Sequence, residues 1–152
     1  MIIALDSNVL VYIAGVVKAP TDNEKTASIR PMVDRLALSE TVLCPLQAFG
    51  ETYHVMLRHG LSREECRSTI LIWRRLFEIA PSTETAFMSA IDLATDHKLQ
   101  FWDALILSVS AEAGCTLLLS EDLQPGFTWR GVTVVNPFAA EIDRRLARLL
   151  TE

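Results

Sequence analysis

Asp6, Glu51, Asp103 and Asp122 lie far apart in the chain, yet each stands where a predicted strand ends or a helix begins. Asp6 follows the apolar run Met1 to Leu5, and Glu51 lies in the helix after Thr41 to Cys44. Asp103 opens the run Asp103 to Leu107, and Asp122 lies just beyond Thr116 to Leu119. In an open parallel α/β sheet the carboxyl ends of the strands form one rim, and ligands bind in the crevice there. Four carboxylates on that rim repel one another, by roughly 3 kcal/mol per pair at ~5 Å and an effective dielectric of ~20. A fold that gathers them needs a cation, and all-oxygen ligands select a hard one such as Mg²⁺ or Mn²⁺. The chemistry this implies is metal-dependent phosphoryl transfer.

Each acid also has an ordinary structural reading. Asp6 is placed to cap a helix, and Asp103 lies in a first helical turn, where the macrodipole favours negative charge. Glu51 shares a helix face with Gln47 among apolar neighbours, so a buried ion pair or simple exposure are its alternatives. Asp122 sits beside Glu121 in a polar loop, and either could be the fourth acid. The functional reading rests on four such residues converging on one predicted rim.

Other chemistries find no support. His54, His59 and His97 lack H-x-x-x-H spacing or a cysteine partner, which argues against zinc. There is no G-x-G-x-x-G, no G-x-x-x-x-G-K-[ST] and no G-x-S-x-G. Arg63, Arg67 and Arg74 fall within about 40° on a helical wheel. They border an apolar stripe of Cys66, Ile70, Trp73 and Phe77, and forks so arranged suit phosphate contact. Arg144, Arg145 and Arg148 read as a solvated basic face.

The elements that must position these residues alternate. Strands are expected at 1–5, 41–44, 78–80, 116–119 and 132–135. Helices are expected from Val9 to Val17 behind a Ser7 or Asn8 cap, and from Thr21 to about Leu38, with Pro31 kinking or restarting it. Others run from Pro45 to His59, from a Ser62–Glu65 capping box to Phe77, and from Ser82 or Thr83 to His97. The last two are Trp102 to Ala113 and Pro137 to Leu150. This alternation predicts an α/β fold with a parallel sheet of four to five strands, covered on both faces. With 152 residues, no linker and no repeat, a single domain over 1–152 is expected.

Half of the residues are apolar and 22% are charged, the balance of a globular chain. A formal net charge of −5 argues against a general nucleic-acid coat protein but not against a nuclease whose acids hold metal. Cys44, Cys66 and Cys115 are odd in number and lie in apolar stretches, so three buried thiols in a reducing cytosol are expected. No secretory leader or bilayer-length apolar run is evident, which adds to a cytoplasmic, non-membrane expectation.

The pattern resembles a PIN-domain ribonuclease of the VapC toxin type. The matching segments are Leu5-Asp6-Ser7-Asn8-Val9-Leu10-Val11-Tyr12, Gln47 with Glu51, Phe101-Trp102-Asp103-Ala104-Leu105-Ile106, and Gly114 through Asp122. The resemblance implies a three-layer α/β/α sandwich in which Asp6, Glu51, Asp103 and Asp122 form the metal and catalytic site. Ser7, Asn8 and Ser120 accompany them as substrate-side polar groups, with Ser7 standing where threonine is common. One or two Mg²⁺ ions (Mn²⁺ as a substitute) would activate water for attack on an RNA phosphodiester. It also implies a homodimer and a small antitoxin, for which the helices at 22–38 and 62–77 offer apolar surface. Two alternatives are a PIN fold that binds RNA without cleaving it, and another Mg²⁺-dependent phosphoryl-transfer domain, such as a receiver-like or phosphatase-like one. The latter should carry a rim lysine or a second Asp two residues after the first, but position 8 is Asn and Lys18, Lys25 and Lys98 lie off the strand ends.

Overall fold

The structure, a computed structural model, describes residues 1–152. The elements run β1 (Ile2–Leu5), α1 (Ser7–Ile13), α2 (Asp22–Ser39), β2 (Thr41–Pro45), α3 (Leu46–Arg58) and α4 (Arg63–Leu76). They continue as β3 (Glu78–Ala80), α5 (Glu84–His97), α6 (Phe101–Glu112), β4 (Leu117–Leu119), β5 (Thr128–Trp129), β6 (Val132–Val135) and α7 (Arg144–Thr151). The sheet order is β3-β2-β1-β4-β6-β5, parallel throughout except that β5 runs against β6.

That order explains where a ligand can bind. The chain steps outward from β1 through β2 to β3, then returns to the other side of β1 as β4. The chain thus reverses its direction of travel across β1, and a crevice forms at the carboxyl ends of β1 and β4, where their following loops meet through the Asn8–Asp122 and Ser120–Asp6 hydrogen bonds. The register pairs Leu5 with Leu119 and so brings those two ends level. Right-handed crossovers place α1 to α4 on one face, and the reversal puts α5 and α6 on the other. The packing agrees: α1 meets α2 and α3, α3 meets α4, and α7 lies on α2, while α5 pairs with α6.

Burial follows from sequence in the same places. Ile3, Ala4 and Leu5 of β1 and Leu117 to Leu119 of β4 are covered on both faces, as inner parallel strands must be. Each large side chain so buried contributes roughly 1.5–3 kcal/mol. In α6 every residue from Ala104 to Ser110 is buried, which fits a helix that is apolar nearly all round. Cys44, Cys66 and Cys115 are buried and unpaired, and burial pushes the Cys115 thiol up to about 12. No helix is long and apolar enough to cross a membrane.

Several expectations need correction. The five parallel strands are as expected, but a sixth strand, Thr128–Trp129, pairs back antiparallel on β6. The turn between them is Arg130-Gly131, both with positive φ (45° and 86°), the conformation a two-residue hairpin requires. Arginine is not a residue that signals such a turn, so the strand was hidden. The first helix ends at Ile13 rather than Val17, with Gly15 at φ 80° turning the chain. Pro31 does not divide α2. Thr21 makes no capping bond; the Asp22 carboxylate instead accepts from the N–H groups of Lys18 and Ala19 at 2.9 and 3.1 Å. The last helix covers only Arg144–Thr151, since Asn136 Oδ1 folds onto the N–H of Phe138 and Asp143 starts the helix by accepting from Arg145 N–H. The Ser62–Glu65 capping box and the Thr83 cap are both formed.

Candidate active site

Asp6 takes both of its possible roles at once. It is the N-cap of α1, with extended backbone angles, and its Oδ1 accepts from Ser7 N–H at 2.7 Å and from Ser7 Oγ at 3.4 Å. The Asp6 N–H donates to Leu119 O at 3.0 Å, which ties the end of β1 to β4 at the switch point. Its Oδ2 accepts from Ser120 Oγ at 2.7 Å and Asn8 Nδ2 at 3.2 Å. The side chain is almost wholly buried, and burial raises its pKa to about 6 against the pull of these hydrogen bonds. The charges of Asp103 and Glu51 push it the same way.

Asn8 and Ser120 form the hub of this side. Asn8 Nδ2 also reaches Asp122 Oδ2 at 3.1 Å and Ser120 Oγ at 3.3 Å, and its Oδ1 accepts from Glu121 N–H at 3.3 Å. Ser120 Oγ accepts from the N–H groups of Asp122 and Leu123 at 3.2 and 3.4 Å. Ser120 is fully buried, and its hydroxyl is engaged by Asp6 and by the N–H groups of its own loop.

The helical acids are held more loosely. Glu51 lies half-buried on α3, where Gln47 Nε2 donates to its Oε1 at 3.0 Å, an i,i+4 pair. Asp103 lies in the first turn of α6, half-buried, and its pKa is raised by burial and then by the charges of Asp122 and Glu51. Asp122 is exposed at the mouth. Glu51, Asp103 and Asp122 line one cleft of about 310 Å³ together with Ser7, Gln47, Gln100 and Trp102. Asp6 is not among the lining residues but lies in electrostatic reach of Asp103 and Glu51.

Glu121, the rival fourth acid, points elsewhere. It accepts from Lys25 Nζ at 2.7 Å and from the Tyr12 hydroxyl, and so is drawn toward α2. Arg63, Arg67 and Arg74 are exposed on α4, and none of them lines the cleft. Gln100 and Trp102 do line it; their position beside Asp103 in sequence was the only signal for them.

These residues suit a hard divalent cation in kind: all the donors are oxygens, and no Lys, Arg or His lines the cleft to neutralise them. Burial is the main cause of the raised Asp6 and Asp103 pKa values, and the neighbouring carboxylates push both in the same direction. As they stand, however, no three acids are gathered closely enough to grip one ion. The Asn8 amide bridges Asp6 and Asp122, and Gln47 holds Glu51, so closing around an ion requires side-chain movement of the helical acids. A larger groove of about 370 Å³ lies between α1, α2 and α4, lined mainly by apolar residues such as Ile13, Val33, Ile72 and Leu76. It carries no comparable chemistry.

No curated protein matches the chain. Among solved structures the fold is similar to VapBC2 of Rickettsia felis bound to a DNA fragment from their promoter, with TM-score 0.62 and 19% identity over 79% of this chain and 87% of that one. It is similar to Mycobacterium tuberculosis VapC20, a Sarcin-Ricin loop cleaving toxin, with TM-score 0.62 and 16% identity over 79% and 91% of the two chains. VapBC-1 of nontypeable Haemophilus influenzae gives TM-score 0.57 and 14% identity over 80% and 87%. At these identities the likeness is one of fold. The PIN domain model matches residues 3–125, a span that includes all four acids, and the chain belongs to the PIN domain family.

Proposed function

We propose that this protein is a Mg²⁺-dependent endoribonuclease, acting as a single domain over 1–152 and as the toxin of a toxin–antitoxin pair. The observation that carries the reading is the cleft at the β1/β4 switch point, which Glu51, Asp103 and Asp122 line with no basic side chain among them and with Asp6 in electrostatic reach. Family membership supports a nuclease, and the fold shared with VapC20, a Sarcin-Ricin loop cleaving toxin, supports RNA as substrate. Asp6, Glu51, Asp103 and Asp122 hold the cation, Mg²⁺ or in its place Mn²⁺. When bound, it supplies Lewis-acid chemistry, making a water more acidic and offsetting charge that develops at the phosphate.

The chain's own contribution is placement. Ser7 N–H, Asn8 and Ser120 hold both oxygens of Asp6, and Asn8 sets Asp122 beside it. Burial and the neighbouring carboxylates raise the Asp103 pKa, and a bound cation would favour its ionised form, the form a ligand must take. Asp122 rather than Glu121 is the fourth ligand in this reading, and Arg63, Arg67 and Arg74 take no part in the chemistry.

The groove between α2 and α4 is the proposed seat of a small antitoxin. Likeness to the VapBC structures supports such a partner. The exposed large apolar side chains that line it are Ile72 and Leu76 of α4. A homodimer belongs to the same proposal. The test is cleavage of single-stranded RNA by purified protein in Mg²⁺ and in EDTA, with Asp103→Asn as control. Scission that needs Mg²⁺ and vanishes in the variant is expected. Metal-independent scission, or full activity in the variant, overturns the reading.

A further inference from the structure

The cleft poses a problem for substrate affinity. Its charged lining residues are all acidic, so a phosphodiester entering it meets no arginine or lysine. Trp102 is the exception to its polarity. The indole is 49% exposed and lines the cleft beside Asp103. It is braced from below, with Phe101 packed edge-on at 5.0 Å and 71°, and Phe87 edge-on to Phe101 at 5.2 Å and 65°.

The other two tryptophans are differently employed. Trp73 is buried and packs near Phe49, and the Arg130 guanidinium covers the Trp129 ring at 4.4 Å. Trp102 thus combines an open surface with an aromatic support and a place at the acids. Gln100, exposed and with no capping bond, lies in the same cleft and offers an amide to a base edge. Aromatic stacking works only on a base that has left its helix, and it needs no positive charge.

We propose that Trp102 is a stacking platform for an unpaired nucleobase next to the scissile phosphate, and so a specificity-determining residue that selects single-stranded or looped RNA over duplex. The inference rests on the nuclease reading of the same cleft. Stacking supplies the affinity that the acidic walls withhold, and it sets one nucleotide against Asp103 before any chemistry occurs.

Binding and cleavage are measured separately to test it. Binding uses the Asp103→Asn background in Mg²⁺, with a labelled single-stranded 20-nucleotide RNA and its duplex as probes. Trp102→Ala is expected to weaken single-strand binding roughly ten- to hundredfold, while Trp102→Phe keeps most of it. Tryptophan emission should be quenched by the single strand in the Trp102-containing protein and not in Trp102→Phe, and duplex binding should be weak and indifferent to either change. In the cleaving protein, Trp102→Ala should raise KM far more than it lowers kcat. Its effect should disappear on an RNA carrying an abasic site beside the cut. Equal single-strand affinity in Trp102→Ala, or equal cleavage of duplex and single strand by the parent, overturns the proposal. So does intact RNA binding in a Trp102→Ala protein that has lost self-association by light scattering, which would make the indole a protein contact. If the parent binds and is quenched but cuts no RNA in Mg²⁺, the nuclease reading fails while the platform stands.

Discussion

On the strand side of the cleft, Asp6 is buried and receives hydrogen bonds from Ser7 N–H, Ser7 Oγ, Asn8 and Ser120, and Asn8 carries the same network on to Asp122. On the helix side, Glu51 has a single side-chain partner in Gln47, and Asp103 responds only to burial and to neighbouring carboxylates. The strand side is organised by the fold itself, because β1 and β4 bring their loop residues together in a fixed register. The helix side is left to be drawn in by whatever neutralises it. Under the proposed metal-ion reading, a preorganised half would lower the reorganisation needed on binding, and a looser half would let an ion enter and leave.

The comparison can be broken most decisively at the loop of Ser120, Glu121 and Asp122. Asp122→Asn should lower cleavage at least ten- to hundredfold, whereas Glu121→Gln should leave the rate near that of the parent, because Lys25 and Tyr12 hold Glu121 away from the cleft. Rates with a defined RNA in Mg²⁺ decide this, and the reverse ranking would move the fourth ligand to Glu121.

The next effect concerns pH. Asp6 is raised from 3.8 to about 6 in the folded protein, chiefly by burial. A raised carboxyl binds its proton more tightly when folded, so its stabilising contribution is complete below the unfolded pKa and is lost as pH climbs through about 6. Thermal unfolding in EDTA should therefore show stability falling by roughly 3 kcal/mol between about pH 4 and pH 7, with Asp103 acting in the same direction. Mg²⁺ at pH 7 should restore part of the loss. A flat profile in EDTA would mean that the acids do not strain the metal-free protein.

Ser120→Ala sharpens the contrast from the strand side. It removes a donor from Asp6 and leaves the N–H groups of Asp122 and Leu123 without their acceptor. Urea unfolding should register about 1–3 kcal/mol of destabilisation. Gln47→Ala tests the helix side and should register the least, about 0.2–0.5 kcal/mol. Similar losses in the two variants would remove the distinction between the halves.

The main elements were legible in sequence because their signals are local. A run of apolar residues ended by Asp6, or a capping box at Ser62 and Glu65, depends on neighbours a few positions away. The hidden parts all join distant segments or depend on unusual backbone. β5 exists because Arg130 adopts a left-handed conformation, and the last helix is short because Asn136 turns back on its own chain. The same limit applied within the candidate site, where Glu121 and Asp122 are adjacent acids of similar chemistry.

Residue type and spacing alone established the alternating α/β order, the buried inner strands and an acidic rim. Periodicity and chain-local propensity carry that information without reference to the rest of the molecule. The division of labour among the polar residues came from the folded arrangement. Lys25 reaches Glu121, Asn8 reaches Asp122, and Ser120 is sealed beneath Asp6 only once β4 lies beside β1. Hydrogen bonds between groups more than ninety positions apart leave no periodic trace in a chain, because their geometry is set by the packing that closes the sheet.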